Sequence, residues 1–136
     1  MDICIKSLID KATQGDPKAQ FELAKAYYYG NGIQQNYEEA VKWFLQIEKN
    51  YCNPYVYKFL GACCYYGYGI EKDFEKAIDC WEEAIRYCEY LGCLFLEKDN
   101  NETAHRYFAE SELLQILLSD PHDENVLRCL LAQEAN

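Results

Sequence analysis

Apolar residues recur along most of the chain at spacings of three and four, the period of a helix with one buried face. From Ile3 to Gln14 the stripe is Ile5, Leu8, Ile9 and Ala12. Gly15 is suited to ending that helix, and Asp16-Pro17 to starting the next: an aspartate cap, then proline where a missing N–H does no harm. A second helix is predicted over about 17–29, with Ala19, Leu23, Ala24 and Tyr27 on one face. Gly30-Asn31-Gly32 stops it, and Ile33 drops back into the core. Asn36, three residues before Glu39, predicts a capping box. The third helix then buries Ala40, Trp43, Phe44 and Ile47 and ends at Lys49-Asn50.

The same pattern is then written again. DPKAQFELAKAYYYGNGI (Asp16–Ile33) returns as NPYVYKFLGACCYYGYGI (Asn53–Ile70) at an offset of 37 residues. Leu60, Gly61 and Cys64 take the places of Leu23, Ala24 and Tyr27, and Gly67-Tyr68-Gly69 forms the second stop. Asp73 caps a helix whose stripe is Ala77, Trp81 and Ala84. A fixed period of this kind marks stacked units that bury their faces against each other.

The last third follows the period less closely. Phe74, Ala77, Ile78, Trp81, Ile85, Cys88, Leu91, Phe95 and Leu96 keep helical spacing with no proline or asparagine between them. One long or kinked helix from Phe74 to Glu97 is favoured over two short ones. Leu91-Gly92 and Phe95 nevertheless resemble the first helix of a plain tetratricopeptide hairpin. Asn101 to Leu118 reads as a second helix of such a pair, with Ala104, Phe108 and Ser111 in the roles of Ala77, Trp81 and Ala84. Asp120-Pro121 is expected to cap a final helix reaching about Gln133 and closing the array.

The quoted residues resemble a Sel-one-like repeat, a relative of the tetratricopeptide repeat, with the pattern A-x-x-x-L-G-x-x-Y-x-x-G-x-G-V then D-x-x-K-A-x-x-W-x-x-x-A. Repeat one supplies Ala19, Leu23, Ala24 for the glycine, Tyr27, Gly30, Gly32, Ile33, Ala40 and Trp43; repeat two supplies Leu60, Gly61, Gly67, Gly69, Ile70, Asp73, Lys76, Ala77 and Ala84. It departs at Cys64, where tyrosine is usual, and at Cys80, with Trp81 one place along. The resemblance covers about the first two thirds of the chain. It implies an all-α fold: a short right-handed superhelix with N- and C-terminal capping helices, in one domain over 1–136. Repeat one is expected at about 16–52, repeat two at about 53–88, and a degenerate third repeat with its capping helix at about 89–136.

On that resemblance, the variable positions of each first helix line a concave face. They are Lys18, Phe21, Lys25, Tyr28 and Tyr29 in repeat one, and Tyr55, Lys58, Ala62, Tyr65 and Tyr66 in repeat two. The chain has 13 tyrosines, and tyrosine is a rigid, amphipathic anchor at interfaces. The expectation is a non-catalytic protein-binding module with a tyrosine-rich groove, recognising another protein or peptide.

Charge and chemistry narrow this reading. The formal net charge is −10, from 23 acidic and 13 basic residues, a poor balance for nucleic acid and a suitable one for a basic protein partner. A small acidic repeat protein also fits an inhibitor or immunity protein that neutralises a toxin or effector. No apolar run approaches membrane-spanning length, and MDICIKSLIDKA lacks the form of a secretory signal, so a cytoplasmic monomer is expected. The eight cysteines form no C-x-x-C pair and no cluster at zinc spacing. Some relatives carry a disulfide in each repeat; here Cys52 corresponds to Glu89 and Cys80 to Trp43, so none recurs. His105 and His122 stand alone, and the Gly-x-Gly turns follow helices, the wrong context for a phosphate loop. No catalytic, metal or cofactor residues are assigned. The competing readings are a thiol- or metal-dependent enzyme using Cys63, Cys64 or Cys80 with a histidine, and a self-assembling scaffold subunit.

Overall fold

The computed structural model describes residues 3–51 and 53–135, so residues 1, 2, 52 and 136 lie outside the described residues. Seven helices and no strand are found among them: α1 (Ile3–Thr13), α2 (Pro17–Tyr29), α3 (Tyr37–Asn50), α4 (Pro54–Tyr66), α5 (Phe74–Glu97), α6 (Asn101–Ser119) and α7 (Glu124–Ala135). The chain is an all-α solenoid. The long apolar stripe after Phe74 forms the single helix α5.

The caps repeat along with the sequence. Asp16 accepts the N–H groups of Lys18 and Ala19, and Asn53 that of Tyr55. Asp73 accepts those of Glu75 and Lys76. Gly30 and Gly67 end α2 and α4 in the left-handed conformation, each donating to the carbonyl four residues back. A further bond ties each loop to its own hairpin. Asn36 N–H donates to the Tyr27 carbonyl at 2.9 Å, and Asp73 N–H to the Cys64 carbonyl at 2.8 Å.

That bond corrects the capping box expected at Asn36. Asn36 Oδ1 does accept the Glu39 N–H at 3.2 Å. The reciprocal half is not formed, because the Asn36 N–H is already bonded to Tyr27, and Glu39 turns its carboxylate to Lys42 at 3.2 Å. A second correction concerns α7. Asp120 N–H still bonds back to the end of α6, so Asp120-Pro121 forms a turn rather than a cap. Asp123 caps instead, accepting the Asn125 N–H at 3.0 Å.

Packing follows the 37-residue offset. Ala24, Ala40, Phe44 and Ile47 are buried with Val56, Phe59, Leu60 and Cys63 between the two repeats. Ala62, Cys64, Tyr65, Ala77, Trp81 and Ala84 form a second cluster with Leu114 and Leu117 of α6 and Leu127 of α7. Helix α4 is the shared wall, and Cys63 and Cys64 point into different clusters. Each leucine, isoleucine, valine or phenylalanine side chain of these clusters contributes about 1.5–3 kcal/mol when fully buried.

Three glycines allow close approaches that a side chain would block. A Cβ on Gly61 would lie 2.3 Å from Trp81 Nε1. The indole lies against that gap and donates to the Lys58 carbonyl at 3.3 Å. Gly92 and Phe108 repeat this arrangement in the α5–α6 hairpin. A Cβ on Gly69 would lie 2.5 Å from the Tyr37 carbonyl oxygen. The second loop therefore sits on the start of α3 and stacks Tyr68 on Tyr37 with centroids 4.1 Å apart.

Candidate partner-binding groove

Lys18, Phe21, Lys25 and Tyr29 lie on α2 at spacings of three and four, which bring them to one side of the helix. Lys18 is exposed, and Phe21, Lys25 and Tyr29 are half-buried. Lys25 pairs with Glu22 at 3.2 Å and sits over the Phe21 ring, 4.8 Å from its centroid. Tyr55 and Tyr66, at the two ends of α4, are also half-buried. Phe21, Tyr55 and Tyr107 of α6 form an aromatic row with centroid separations of 6.5 and 6.1 Å.

The remaining four residues of the expected groove are placed in the interior. Tyr28 is 6% exposed and Tyr65 9%, while Lys58 and Ala62 are wholly buried. Tyr28 meets Tyr29, Tyr37 and Phe59 edge-on at 4.9, 5.4 and 5.3 Å. Tyr28 is closed in by α3 and α4, and the other three by the last third of the chain, which packs against α4. Helix α6 brings Glu110, itself 5% exposed, onto the Lys58 ammonium in a buried ion pair. The turn before α7 sets His122 Nδ1 3.0 Å from the Tyr65 hydroxyl. The Tyr29 hydroxyl donates to the Leu131 carbonyl of α7 at 2.7 Å.

Two openings remain on this side. One, of about 470 Å³, has Lys18 and Phe21 on one wall, Tyr55 on another, and Leu91, Phe95 and Tyr107 across from them. The other, of about 630 Å³, lies between α7 and a wall of tyrosines: Tyr28, Tyr29, Tyr37, Tyr66 and Tyr68. Tyr68 stacks on Tyr37 and on Tyr66, at 4.1 and 5.0 Å. Burial is the main cause raising the pKa of Tyr28, Tyr37 and Tyr66, with the Glu124 carboxylate adding to the effect at Tyr66. These hydroxyls are neutral hydrogen-bonding groups at physiological pH.

The thiols of α4, with Cys80 and Cys88 of α5, are arranged as small core residues. Cys63, Cys64 and Cys88 are buried and Cys80 is half-buried; Cys4, Cys93 and Cys129 are exposed. Burial, with the neighbouring Cys64, pushes the Cys63 and Cys80 thiols up to about 12. They are therefore protonated and weakly nucleophilic at neutral pH. Among the described residues no group of three histidine, cysteine, aspartate or glutamate side chains is placed to hold a metal ion. No described helix is long and apolar enough to cross a membrane.

Sequence reasoning missed the Lys58–Glu110 pair and the covering of α4 by α6 and α7. The signal available was Lys58 itself, a charge flanked by Val56, Phe59 and Leu60 on a helix with few polar residues.

The repeat unit described by the Sel1 family matches residues 17–47 and 54–86. A Sel1 repeat protein from Oxalobacter formigenes is 27% identical, with a TM-score of 0.56 over 80% of this chain and 48% of its own. The protective antigen c5321 of uropathogenic Escherichia coli, which has an SLR fold, is 22% identical with a TM-score of 0.58. The fit to c5321 covers 97% of this chain and 33% of the antigen, and shows the fold alone. The chain thus spans about half the length of the first protein and about a third of the second. No curated protein sequence matches it. The twice-written hairpin, its repeated caps and loop bonds and the family match over both repeats together place the chain in the Sel1 repeat family.

Proposed function

We propose that this protein recognises another protein through the part of the inner face that its own C-terminal third leaves open. Sel1 repeats generally serve protein–protein interaction. The observation carrying this reading is the opening of about 470 Å³ between α2, α4 and the α5–α6 hairpin. It offers half-buried rings, Phe21, Tyr55, Phe95 and Tyr107, with exposed Lys18 at its edge. Rigid aromatic rings beside a mobile charge are favoured anchors for a polypeptide. Lys18, Phe21 and Tyr55 serve as contact residues there, and Lys25, Tyr29 and Tyr66 continue the surface. Tyr28, Lys58, Ala62 and Tyr65 support it from beneath.

The net charge of −10 favours a narrower form, an inhibitor or immunity protein that neutralises a basic toxin or effector as a cytoplasmic monomer. Opposite net charges speed association and make it sensitive to salt. The test is affinity capture from a lysate of the organism carrying the gene, comparing the unaltered chain with Lys18→Glu/Tyr55→Ala. Circular dichroism would confirm that both fold. A partner recovered by the first and reduced at least ~10-fold with the second supports the assignment, that factor being about 1.4 kcal/mol. Equal recovery overturns it. Association that slows as salt rises from 50 to 500 mM on the order of tenfold supports the basic partner; a salt-independent rate removes it.

A further inference from the structure

Helix α7 rests on the tyrosine wall as a separate helix would rest in a groove. Leu127 is 1% exposed, and Leu131, one turn further on, packs against both large core clusters. The Tyr29 hydroxyl holds the Leu131 carbonyl at 2.7 Å. Beside these anchors Glu124 and Arg128 border the opening of about 630 Å³, so open space remains between α7 and the tyrosine wall. Helix α6, by contrast, is fixed by the buried Lys58–Glu110 pair and by Leu114 and Leu117, both fully buried. The turn at 120–123 joins the two helices, and Leu127 packs in one cluster with Leu114 and Leu117 of α6.

We propose that α7 is an internal ligand on the Tyr29–Tyr66 end of the partner surface, beyond the opening of about 470 Å³, and that the partner delivers an amphipathic helix with leucines four apart and a basic polar face, displacing α7. This rests on the protein-binding reading above and names the partner's form. Leucines at i and i+4 are the anchors by which a helix lies in an apolar groove. A hydroxyl on a backbone carbonyl reads the helix without reading its sequence. The basic face follows from charge: the chain is strongly acidic, at a formal −10, whereas α7 itself sets one acid and one base, Glu124 and Arg128, beside the wall. An internal ligand lowers apparent affinity in proportion to the time it occupies the seat.

The test uses a fluorescein-labelled peptide copying residues 120–135 with Cys129→Ser, titrated into the full chain and into full-chain Leu127→Asp. The aspartate expels α7 by burying an unpaired charge. Leu127→Asp should bind the peptide at least ~10-fold more tightly than the unaltered chain. A peptide also carrying Glu124→Lys should bind more tightly again. Equal or weaker binding by Leu127→Asp overturns the internal ligand, and weaker binding of the lysine peptide overturns the basic face. Should Leu127→Asp fail to fold, hydrogen exchange on the unaltered chain decides. Excess peptide should speed exchange of the amides of 124–131 while those of α4 keep their protection; unchanged exchange overturns the proposal. Dimerisation of Leu127→Asp at micromolar concentration would make a second copy the occupant and overturn the separate partner. Partner capture lost with Lys18→Glu/Tyr55→Ala but unaffected by Leu127→Asp would remove this proposal and leave the protein-binding reading standing.

Discussion

Repeat one buries Ala24 with Phe44; at the same two places, 37 residues on, repeat two buries Gly61 with Trp81. The larger ring goes with the smaller partner. This also explains why Trp81 lies one place from the family's tryptophan: positions 44 and 81 are fully buried, whereas 43 and 80 are half-buried. Gly61→Ala should therefore destabilise the fold by about 1–3 kcal/mol through overpacking. Gly61→Ala/Trp81→Phe, which rebuilds the first repeat's pair, should recover most of that loss apart from the bond to the Lys58 carbonyl. Urea midpoints for the three proteins check this. The thiols make a pH prediction. Burial raises Cys63 and Cys80 from 9.0 to about 12. Below pH 9 folded and unfolded chains are both protonated there, and the contribution is fully present. Between pH 9 and 12 the unfolded chain releases protons that the folded chain keeps, so stability falls. Melting temperature should drop across that window, with a shallower slope in Cys63→Ala.

Most helices were legible because their signals are local. Asp16-Pro17, Asn53-Pro54 and Asp73 start helices, Gly30 and Gly67 stop them, and the unbroken stripe after Phe74 forms one helix. What could not be read depends on partners distant in sequence. Asn36 lost its reciprocal cap because the Tyr27 carbonyl claimed its N–H. Lys58 reads as a groove charge until α6, 52 residues away, supplies Glu110. Periodicity places a residue on a face of its helix; it does not say what will cover that face. The α4–α6 junction should respond to substitution accordingly. Glu110→Leu leaves a buried ammonium without its carboxylate and should cost about 3–5 kcal/mol. Lys58→Met/Glu110→Leu removes both charges and should lie within about 2 kcal/mol of the unaltered protein or above it. A double-mutant cycle in urea measures the difference.

As a whole the molecule is two repeats and a C-terminal third: α4, ten of whose 13 residues are buried, serves both large clusters, and α5 runs on from repeat two to pack along α6. Of the expected groove residues, Lys18, Phe21, Lys25 and Tyr29 of repeat one and Tyr55 and Tyr66 of repeat two retain exposure. Tyr28, Lys58, Ala62 and Tyr65 do not, because what covers them comes from other elements, such as Tyr37 over Tyr28, Glu110 on Lys58 and His122 on Tyr65. With one helix serving both large clusters, the repeats should unfold together. Trp43 packs on the repeat-one side and Trp81 lies in the second cluster. Variants retaining only one tryptophan should give coincident fluorescence and circular-dichroism transitions, and displaced midpoints within either variant would show that the repeats separate. The back-to-back thiols of α4 have a practical consequence. Cys63 faces one compartment and Cys64 the other, so a pulse of alkylating reagent becomes a pair of clocks one residue apart. Whichever sulfur is capped first tells which half of the molecule opens its interior sooner.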